Sequence, residues 1–306
     1  MFDITLVGCG GMMPLPHRYL SSVLMRFEGR LVLIDCGEGT QVSARQVGWG
    51  FKTLDCICLT HFHADHVSGL PGLLLTIGHS GREEPLTIIG PIGVTHIVKS
   101  LCVIAPEIPF PINFIELPDN GIKELKIPHT NFILSALPVK HNCVCFAYRI
   151  DIKRKGMFNA ETAKAQNIPL NFWNKLQKGE IIEHEGKTFT PQMVMGEERK
   201  GLSVSYCTDS RPTKTLPAFI QNSDLFICEG HYGDEEKYDK ARSHKHMIFS
   251  EAAQIAKEGN AKKLWLTHFS PAMQNPKDYI KNAAKIFPNS KAGHDGKTTT
   301  LNFEDQ

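Results

Sequence analysis

The stretch Leu-Thr-His-Phe-His-Ala-Asp-His at residues 59–66 decides how the rest of the chain is interpreted. The apolar run before it indicates a short buried strand, and three histidines and an aspartate follow where that strand ends. Imidazole and carboxylate groups are ligands that zinc takes in proteins. His61 and His63 share one side of an extended segment, while Asp65 and His66 lie in the turn beyond and can face a second ion. We therefore predict a metal site, against the alternative of solvated surface histidines.

The overall composition is that of a globular protein without a dominant charge. The chain has 306 residues, of which 42% are hydrophobic, and its 34 basic and 32 acidic side chains nearly cancel. A nucleic-acid partner would therefore be held by a local basic patch. The nine cysteines lack the spacing of a disulfide framework, which indicates a reducing compartment. Because a strand pattern stands in place of a signal peptide and no stretch is long and apolar, we expect a cytoplasmic protein without a membrane span.

Strand patterns alternate with helical patterns along the chain, which predicts an α/β layered fold. The run at residues 67–77 indicates a helix, and Gly8-Cys9-Gly10-Gly11 indicates a tight turn near the site. Other residues of the metal-ligand type follow strand patterns or, in one case, precede a helix predicted at about 249–258. They are His141, Asp209, Glu229, His268, and the pair His244 and His246 before the helix. We expect these residues to meet along one edge of the layers, where loops on a rigid scaffold form sites.

Asp35 follows another strand pattern and admits two interpretations. Its carboxylate could hold a metal-bound histidine from behind, as such carboxylates often do. It could equally cap the helix that is predicted to continue to about residue 47. The sequence alone leaves both open.

Residues 151–200 differ from the rest of the chain because they are charge-dense and show no sustained hydrophobic period. One interpretation is a solvated excursion from the core. The other is an arm that binds nucleic acid, in which Lys153, Arg154 and Lys155 contact phosphates while Phe172 and Trp173 offer faces for stacking. Both interpretations fit the sequence.

The central motif, with His141, Asp209 and His268 in this order and at this separation, resembles the metallo-β-lactamase superfamily. Within that superfamily the chain is similar to the ribonuclease Z family over nearly its whole length. The matching segments besides the central motif are residues 8–14, 35–41, 68–72, 148–150 and 266–270. The resemblance implies an α/β fold of the αββα sandwich type. It also implies one hydrolase domain over residues 1–306, with an inserted arm-like excursion at residues 153–200.

The resemblance further implies two zinc ions per subunit and a ligand set. These ligands are His61, His63 and His141 for the first ion, Asp65, His66 and His268 for the second, and Asp209 as a bridge between the two. Glu229 matches the family's acidic residue that orients a histidine, and His246 matches that histidine. His244 is a rival for the same role, because Ile248 stands where the family usually has Ser or Thr after the catalytic histidine.

The implied activity is that of a zinc-dependent endoribonuclease, a phosphodiesterase that removes the 3′ trailer from precursor tRNA and leaves a 3′-hydroxyl. In this mechanism a hydroxide attacks phosphorus in line and Asp65 orients its proton. His246, held by Glu229, protonates the leaving 3′-oxygen. The family also implies a homodimer, and precursor tRNA is the expected macromolecular partner.

Three other functions are compatible with parts of the sequence. Residues 167–172 lack the Gly-Pro pattern of the family's tRNA-clamping arm, so a metal-dependent hydrolase of small or cyclic phosphodiesters is the main alternative. A di-iron redox protein is disfavoured by His63, where such members of the superfamily usually have a carboxylate. A non-catalytic nucleic-acid-binding module is disfavoured by the complete set of metal ligands.

Overall fold

Two seven-stranded sheets dominate the computed structural model, which describes residues 1–304. The strands of this part of the chain are β1 (Phe2–Gly8), β2 (Ser22–Phe27), β3 (Arg30–Ile34), β4 (Leu54–Cys58), β5 (Leu86–Pro91), β6 (Ile112–Leu117), β7 (Lys123–Lys126), β8 (Phe132–Lys140), β9 (Val144–Arg154), β10 (Ile182–His184), β11 (Lys187–Phe189), β12 (Arg199–Cys207), β13 (Leu225–Glu229), β14 (Leu264–Thr267), β15 (Ser290–Ala292) and β16 (Thr298–Leu301). The α-helices are α1 (Thr40–Val47), α2 (Ala64–Val67), α3 (Leu70–His79), α4 (Val94–Leu101), α5 (Ala160–Ala165), α6 (Leu170–Lys178), α7 (Leu216–Phe219), α8 (Tyr238–His244), α9 (Phe249–Glu258) and α10 (Ile280–Ala284).

The first sheet has the order β16-β1-β2-β3-β4-β5-β6. β2 and β3 form an antiparallel hairpin, whereas β3, β4, β5 and β6 run parallel. Parallel neighbours need crossover connections, and α1, α3 and α4 lie in those connections. The apolar faces of these helices pack on the sheet in one cluster that includes Leu33, Ile57, Leu74 and Val98. This cluster forms the core between the sheet and its outer helices.

The second sheet has the order β15-β14-β13-β12-β9-β8-β7 and runs parallel from β12 to β15. Its crossovers contain α7, α9 and α10. The helix predicted at about 249–258 is confirmed as α9, which buries Ala252, Ala253 and Ala256 toward the sheet. These small side chains share a core cluster with Phe226 and Leu266. The second sheet is therefore also covered by helices on its outer face.

The inner faces of the two sheets pack against each other. The ring centroid of Phe132 on β8 lies 5.8 Å from that of Phe2 on β1 and 6.3 Å from that of Phe27 on β2. The Tyr148 hydroxyl on β9 donates to the Leu59 carbonyl after β4 at 2.7 Å. With helices outside and sheets inside, the predicted αββα sandwich is confirmed.

The helix predicted at residues 67–77 is instead two helices, α2 and α3, with a break at residues 68–69. Gly69 explains the break, because its N–H donates to the Cys36 carbonyl at 2.9 Å. A Cβ atom at Gly69 would lie 2.2 Å from the Gly37 carbonyl oxygen. The prediction of one continuous helix was wrong because hydrophobic periodicity does not register such a close backbone approach.

Two compact units can be distinguished in the described residues: Met1–Asp151 with Ser203–Asn302, and Ile152–Leu202 with Phe303 and Glu304. The second unit overlaps the segment 153–200 discussed above and contains α5, α6 and the antiparallel hairpin of β10 and β11. Its core is small, and α6 contributes only Phe172 and Leu176 as buried residues. These two residues are four positions apart, which is the spacing of one helix face. In residues 1–304, no helix has the length and apolar character that crossing a bilayer requires.

Candidate metal centre

The carboxyl ends of parallel strands carry most of the predicted site residues. His61, Asp209 and His268 each follow a threonine at or just after the end of a strand, namely β4, β12 and β14. Glu229 is the last residue of β13. His141 directly follows β8. Since carboxyl ends of parallel strands lie at one edge of a sheet, residues far apart in sequence meet here.

The first group of side chains consists of His61, His63 and His141, whose ring nitrogens lie within 4.8 Å of one another. His141 Nε2 is 3.4 Å from His63 Nδ1 and 3.7 Å from Asp209 Oδ1. His61 Nε2 is buried and has no hydrogen-bond partner in the described part of the chain. The structure thus directs three imidazole nitrogens and one carboxylate oxygen at a common point.

The second group consists of Asp65, His66 and His268. His66 Nε2 and His268 Nε2 each lie 3.1 Å from Asp209 Oδ2. Asp65 Oδ2 lies 3.3 Å from His268 Nε2 and 3.5 Å from His66 Nε2. One oxygen of Asp209 therefore faces the first group and the other faces the second, which is the geometry that a bridging carboxylate requires.

These separations fit divalent metal ions. A tetrahedral zinc ion with Zn–N bonds of about 2.0–2.1 Å holds neighbouring ligand atoms about 3.3–3.4 Å apart, and the His63–His141 nitrogens are 3.4 Å apart. Among residues 1–304, the buried Nε2 atom of His61 has no hydrogen-bond partner. A buried polar atom without a partner is costly, and a bound cation would satisfy it. The donor set and its spacing therefore fit metal binding.

Hydrogen bonds on the far side of each ring fix its orientation. His66 Nδ1 lies 2.9 Å from Asp35 Oδ2, and the same carboxylate accepts from the Thr60 N–H at 2.8 Å. His61 Nδ1 is 3.0 Å from the Thr60 hydroxyl, and His141 Nδ1 is 3.4 Å from the Lys245 carbonyl. Of the two interpretations of Asp35, the structure supports the hydrogen bond to a ligand-type histidine, because the side chain does not cap α1.

The segment after β1 completes the support for the second group. The Met12 N–H donates to Asp65 Oδ2 at 2.7 Å. A Cβ atom at Gly11 would lie 2.6 Å from the His268 ring, so only glycine allows the backbone to approach so closely. The predicted position of residues 8–11 near the site is confirmed, but the predicted tight turn is not, because Gly8 ends β1 and Gly10 pairs with Leu20 and Phe269 in single β-bridges.

At Asp209 and Asp65, burial and the neighbouring histidines shift the pKa in opposite directions. Burial raises the pKa of Asp209, but His268 and His66 outweigh it and hold the pKa well below its usual range. Asp65 shows the same balance, with hydrogen bonds to His268 and His66 lowering its pKa. Burial lowers the pKa of His61 well below its usual range. Ionised carboxylates and a neutral imidazole are the forms that bind metal.

Glu229 and His246 form a hydrogen-bonded pair beside the ligand groups. Glu229 Oε2 lies 3.0 Å from His246 Nδ1, and Oε1 accepts from the Ser210 N–H at 2.6 Å. Burial lowers the pKa of His246, but Glu229 outweighs it and the resulting pKa is about 9. His244, the rival, is exposed, and its Nδ1 lies 3.3 Å from the Tyr232 hydroxyl. Both histidines line a cavity of about 230 Å³ that also contains Asp65 and His268.

Known proteins resemble this chain over its full length. It is 53% identical over 309 residues to ribonuclease Z of Clostridium acetobutylicum, covering 99% of both chains. It is also 53% identical to ribonuclease Z of Clostridium kluyveri, covering 100% of both. This chain belongs to the ribonuclease Z family.

Other comparisons agree on the fold of this ribonuclease Z family member. The human short-form tRNase Z structure has a TM-score of 0.69 at 23% identity and covers 98% of this chain and 100% of that one. The Bacillus subtilis metallo-β-lactamase fold protein YhfI has a TM-score of 0.69 at 21% identity, with 98% and 100% coverage. The family model described as anti-Pycsar protein Apyc1 matches residues 2–99.

The predicted phosphate-contacting residues of this ribonuclease Z family member lie in the second compact unit. Lys153 is exposed, whereas Lys155 Nζ donates to the Lys178 carbonyl at 2.7 Å. Arg154 donates to the Glu304 carbonyl at 2.8 Å and lies 4.9 Å from the centre of the Phe303 ring. Within this unit the three side chains do not converge on one feature.

The predicted stacking role of Phe172 was wrong, because this side chain is only 8% exposed and packs in the core of its own unit. Trp173 is half-buried, and its indole N–H donates to the Ile168 carbonyl at 2.9 Å. Neither ring is presented as an open stacking face. The available signal was the spacing of Phe172, Trp173 and Leu176, which lie on one apolar face of α6.

Sequence analysis assigned no role to His231 or Cys143, although both lie at the site. The His231 ring stacks on His246 with centroids 4.1 Å apart, and burial lowers the pKa of His231 to about 2. Cys143 Sγ lies 3.9 Å from His63 Nε2. The available signal for His231 was its position two residues after the end of β13, which is where other strands deliver their site residues.

Proposed function

We propose that this ribonuclease Z family member is a zinc-dependent endoribonuclease that removes the 3′ trailer from precursor tRNA and leaves a 3′-hydroxyl. The observation that carries the proposal is the meeting of seven ligand-type side chains with the Glu229–His246 pair at one cavity. The names of the full-length relatives support the same substrate.

Two zinc ions would be held by the two groups of side chains. The proposed ligands are His61, His63 and His141 for one ion, Asp65, His66 and His268 for the other, and Asp209 for both. Zinc in such a site acts as a Lewis acid that makes water nucleophilic near neutral pH and neutralises charge on a phosphate. All remaining steps depend on the protein's own residues.

Asp65 is the residue that orients the nucleophile in this proposal. Its Oδ2 is held by the Met12 N–H at 2.7 Å and lies 3.3 Å from His268 Nε2. That contact from the main chain fixes the plane of the carboxylate. The carboxylate can then accept a hydrogen bond from the nucleophile, and it faces the cavity that the substrate would enter.

His246 is the proposed general acid for the leaving ribose 3′-oxygen. Glu229 occupies its Nδ1, so Nε2 is the ring nitrogen that remains to deliver a proton. A second contact from the Met247 N–H to Glu229 Oε2 at 3.2 Å fixes the carboxylate that holds the ring. We assign this role to His246 over His244, since His244 has no carboxylate within hydrogen-bond distance among the contacts of the described residues. Proton transfer of this kind typically contributes about 10²–10⁴-fold to the rate.

The arm, the assembly and the cellular location complete the proposal. We assign residues 153–200 as an arm of a single hydrolase domain, with Lys153, Arg154 and Lys155 as contacts for nucleic acid. The family resemblance supports a homodimer. All nine cysteines, which lie within residues 1–304, are free thiols, and this supports a reducing compartment such as the cytoplasm.

A cleavage assay on a 3′-extended tRNA with mapping of both new ends tests the proposed function. We expect a single cut that leaves a 3′-hydroxyl on the tRNA and a 5′-phosphate on the trailer. Deleting residues 156–195 should weaken tRNA cleavage and leave hydrolysis of bis(p-nitrophenyl) phosphate nearly unchanged. Full tRNA cleavage by the deletion variant would show that the arm is not needed to bind tRNA.

A second candidate is a metal-dependent hydrolase of small or cyclic phosphodiesters. The arm favours this alternative, because the side chains of Lys153, Arg154 and Lys155 do not converge on one feature within it. The dependence on salt concentration distinguishes the two functions. RNA affinity falls as salt rises, and it falls more steeply the more phosphates the protein neutralises. A steep dependence of KM on salt for tRNA supports the first candidate. Efficient hydrolysis of cyclic nucleotides with no cleavage of tRNA would establish the second.

A further inference from the structure

His231 is a buried histidine that lies between the second ligand group and the proposed general acid. It follows β13 by two residues, and its side chain is 0% exposed. Its carbonyl accepts from the Ser270 N–H at 3.1 Å, which fixes the backbone next to the strand end that carries His268. Its Nε2 has no hydrogen-bond partner in the described part of the chain. Such a buried polar ring, without full hydrogen bonding, calls for a functional explanation.

One edge of the His231 ring faces His268. The Nδ1 atoms of the two rings are 3.3 Å apart. Because His268 Nε2 faces Asp65 and Asp209, it is the atom that would bind metal, and the proton of that ring must then reside on Nδ1. That N–H needs an acceptor, and His231 Nδ1 is at hydrogen-bond distance. Without metal, His231 Nδ1 can instead donate to the His268 carbonyl at 3.1 Å.

The flat face of the same ring packs against His246. The two rings are nearly parallel, at 11°, with centroids 4.1 Å apart. Glu229 fixes one edge of the His246 ring through Nδ1, but a single hydrogen bond leaves rotation about that contact possible. Stacking against a buried ring restricts that rotation. The plane of the proposed general acid is therefore set by His231.

We propose that His231 is a positioning residue with two separable functions, and this proposal rests on the proposed function above. Its Nδ1 accepts the hydrogen bond of the metal ligand His268, and its ring face holds His246 in the plane from which it protonates the leaving group. Bonds of the first kind typically change metal affinity by about 10–100-fold. His231 thereby connects metal binding to the acid of the reaction.

Two substitutions separate these functions. His231→Asn keeps an acceptor, the amide oxygen, near the position of Nδ1 and removes the stacked ring. His231→Phe keeps a flat ring and removes the acceptor. We expect the asparagine variant to retain zinc affinity within a few-fold while its kcat falls about tenfold, a part of the 10²–10⁴ that general acids supply. We expect the phenylalanine variant to lose about 10–100-fold in zinc affinity while its kcat at saturating zinc stays near wild type.

The measurements are zinc affinity by chelator competition, kcat and KM on 3′-extended tRNA and on bis(p-nitrophenyl) phosphate, and thermal unfolding of the metal-free proteins. His96→Asn, at an exposed histidine on α4, is the matched control and should change none of them. Nitrogen-15 NMR of the zinc-loaded wild type gives a readout without mutation. We expect the His231 proton on Nε2.

A proton on Nδ1 of His231 in the zinc-loaded protein would overturn the link to His268. Equal losses of zinc affinity and kcat in both variants, tracking their loss of thermal stability, would reduce His231 to a packing residue. A wild type that binds zinc but cleaves neither substrate would instead refute the proposed function. The chelator competition would still test the link to His268, so the two failures are distinguishable.

Discussion

Replacing Asp35 by asparagine tests whether the hydrogen bond behind His66 controls metal binding. Asp35 is fully buried, and its carboxylate lies 2.9 Å from His66 Nδ1 and accepts from the Thr60 N–H at 2.8 Å. Its φ of 58° is left-handed, a region that asparagine tolerates, so the backbone need not move. The amide oxygen can keep the contact with Thr60. The amide nitrogen then faces the His66 N–H, which places two donors against each other.

The size of the effect follows from the lost hydrogen bond. A hydrogen bond to a charged group contributes about 1.5–3 kcal/mol to stability. Loss of the partner behind a metal-bound histidine typically costs about 10–100-fold in metal affinity, which corresponds to about 1.4–2.8 kcal/mol. The first range applies to the stability of the fold and the second to metal affinity, and only the second bears on zinc binding. We therefore expect Asp35→Asn to weaken zinc binding by one to two orders of magnitude.

Chelator competition on purified protein measures this affinity, and thermal unfolding of the metal-free form measures the cost to the fold. Asp3→Asn is the control, because Asp3 is a part-buried carboxylate that pairs with Arg26 at 2.8 Å on the first sheet. Such pairs contribute about 0–1 kcal/mol, and zinc affinity should not change. Zinc binding by Asp35→Asn at wild-type strength would refute the reasoning, even if the variant were less stable.

Three further predictions concern the ligand groups and the acid. His63→Ala should lower the zinc content and abolish phosphodiester cleavage; near-normal cleavage with zinc still bound would contradict the assigned site. His246→Ala should lower kcat by about 10²–10⁴-fold with zinc content unchanged, and loss of metal would mean that His246 is itself a ligand. Burial lowers the pKa of His246, but Glu229 outweighs it, so the pKa rises from 6.5 to about 9. The metal-free folded protein therefore holds this proton more tightly than the unfolded chain does. The associated stability should be complete below pH 6.5 and lost as the pH rises through about 9. Glu229→Gln should flatten this dependence in denaturant titrations with chelator present, and an unchanged slope would argue against it.

The arrangement of the site could be predicted because strand ends are visible in the sequence. Buried strands appear as short apolar runs, and a ligand-type residue directly after such a run lies at the edge of a sheet. This reasoning placed His61, Asp209 and His268 together although they are far apart in the chain. It placed residues 8–11 near them as well. Here local patterns and the geometry of parallel sheets give the same answer.

Contacts that depend on the third dimension could not be predicted. The place of His231 after a strand marks it as a candidate, but its position between His246 and His268 emerges only from coordinates. The burial of Phe172 depends on which short elements meet in the small core of the second compact unit. The break at Gly69 depends on one carbonyl oxygen of a neighbouring loop.

Backbone conformation at three residues of the site is uncommon and helps to aim their side chains. Asp35, Asp209 and His268 have φ angles of 58°, 48° and 55°, where residues other than glycine are uncommon. Each costs about 1–3 kcal/mol and persists only where surrounding contacts enforce it. Here the Asp35 N–H donates to the Cys58 carbonyl at 2.8 Å, and the N–H after His268 donates to the Cys9 carbonyl at 2.9 Å. Glycine would relieve the strain but carries no ligand atom. The hydrogen bonds at the strand ends therefore offset the strain at the residues that carry these side chains.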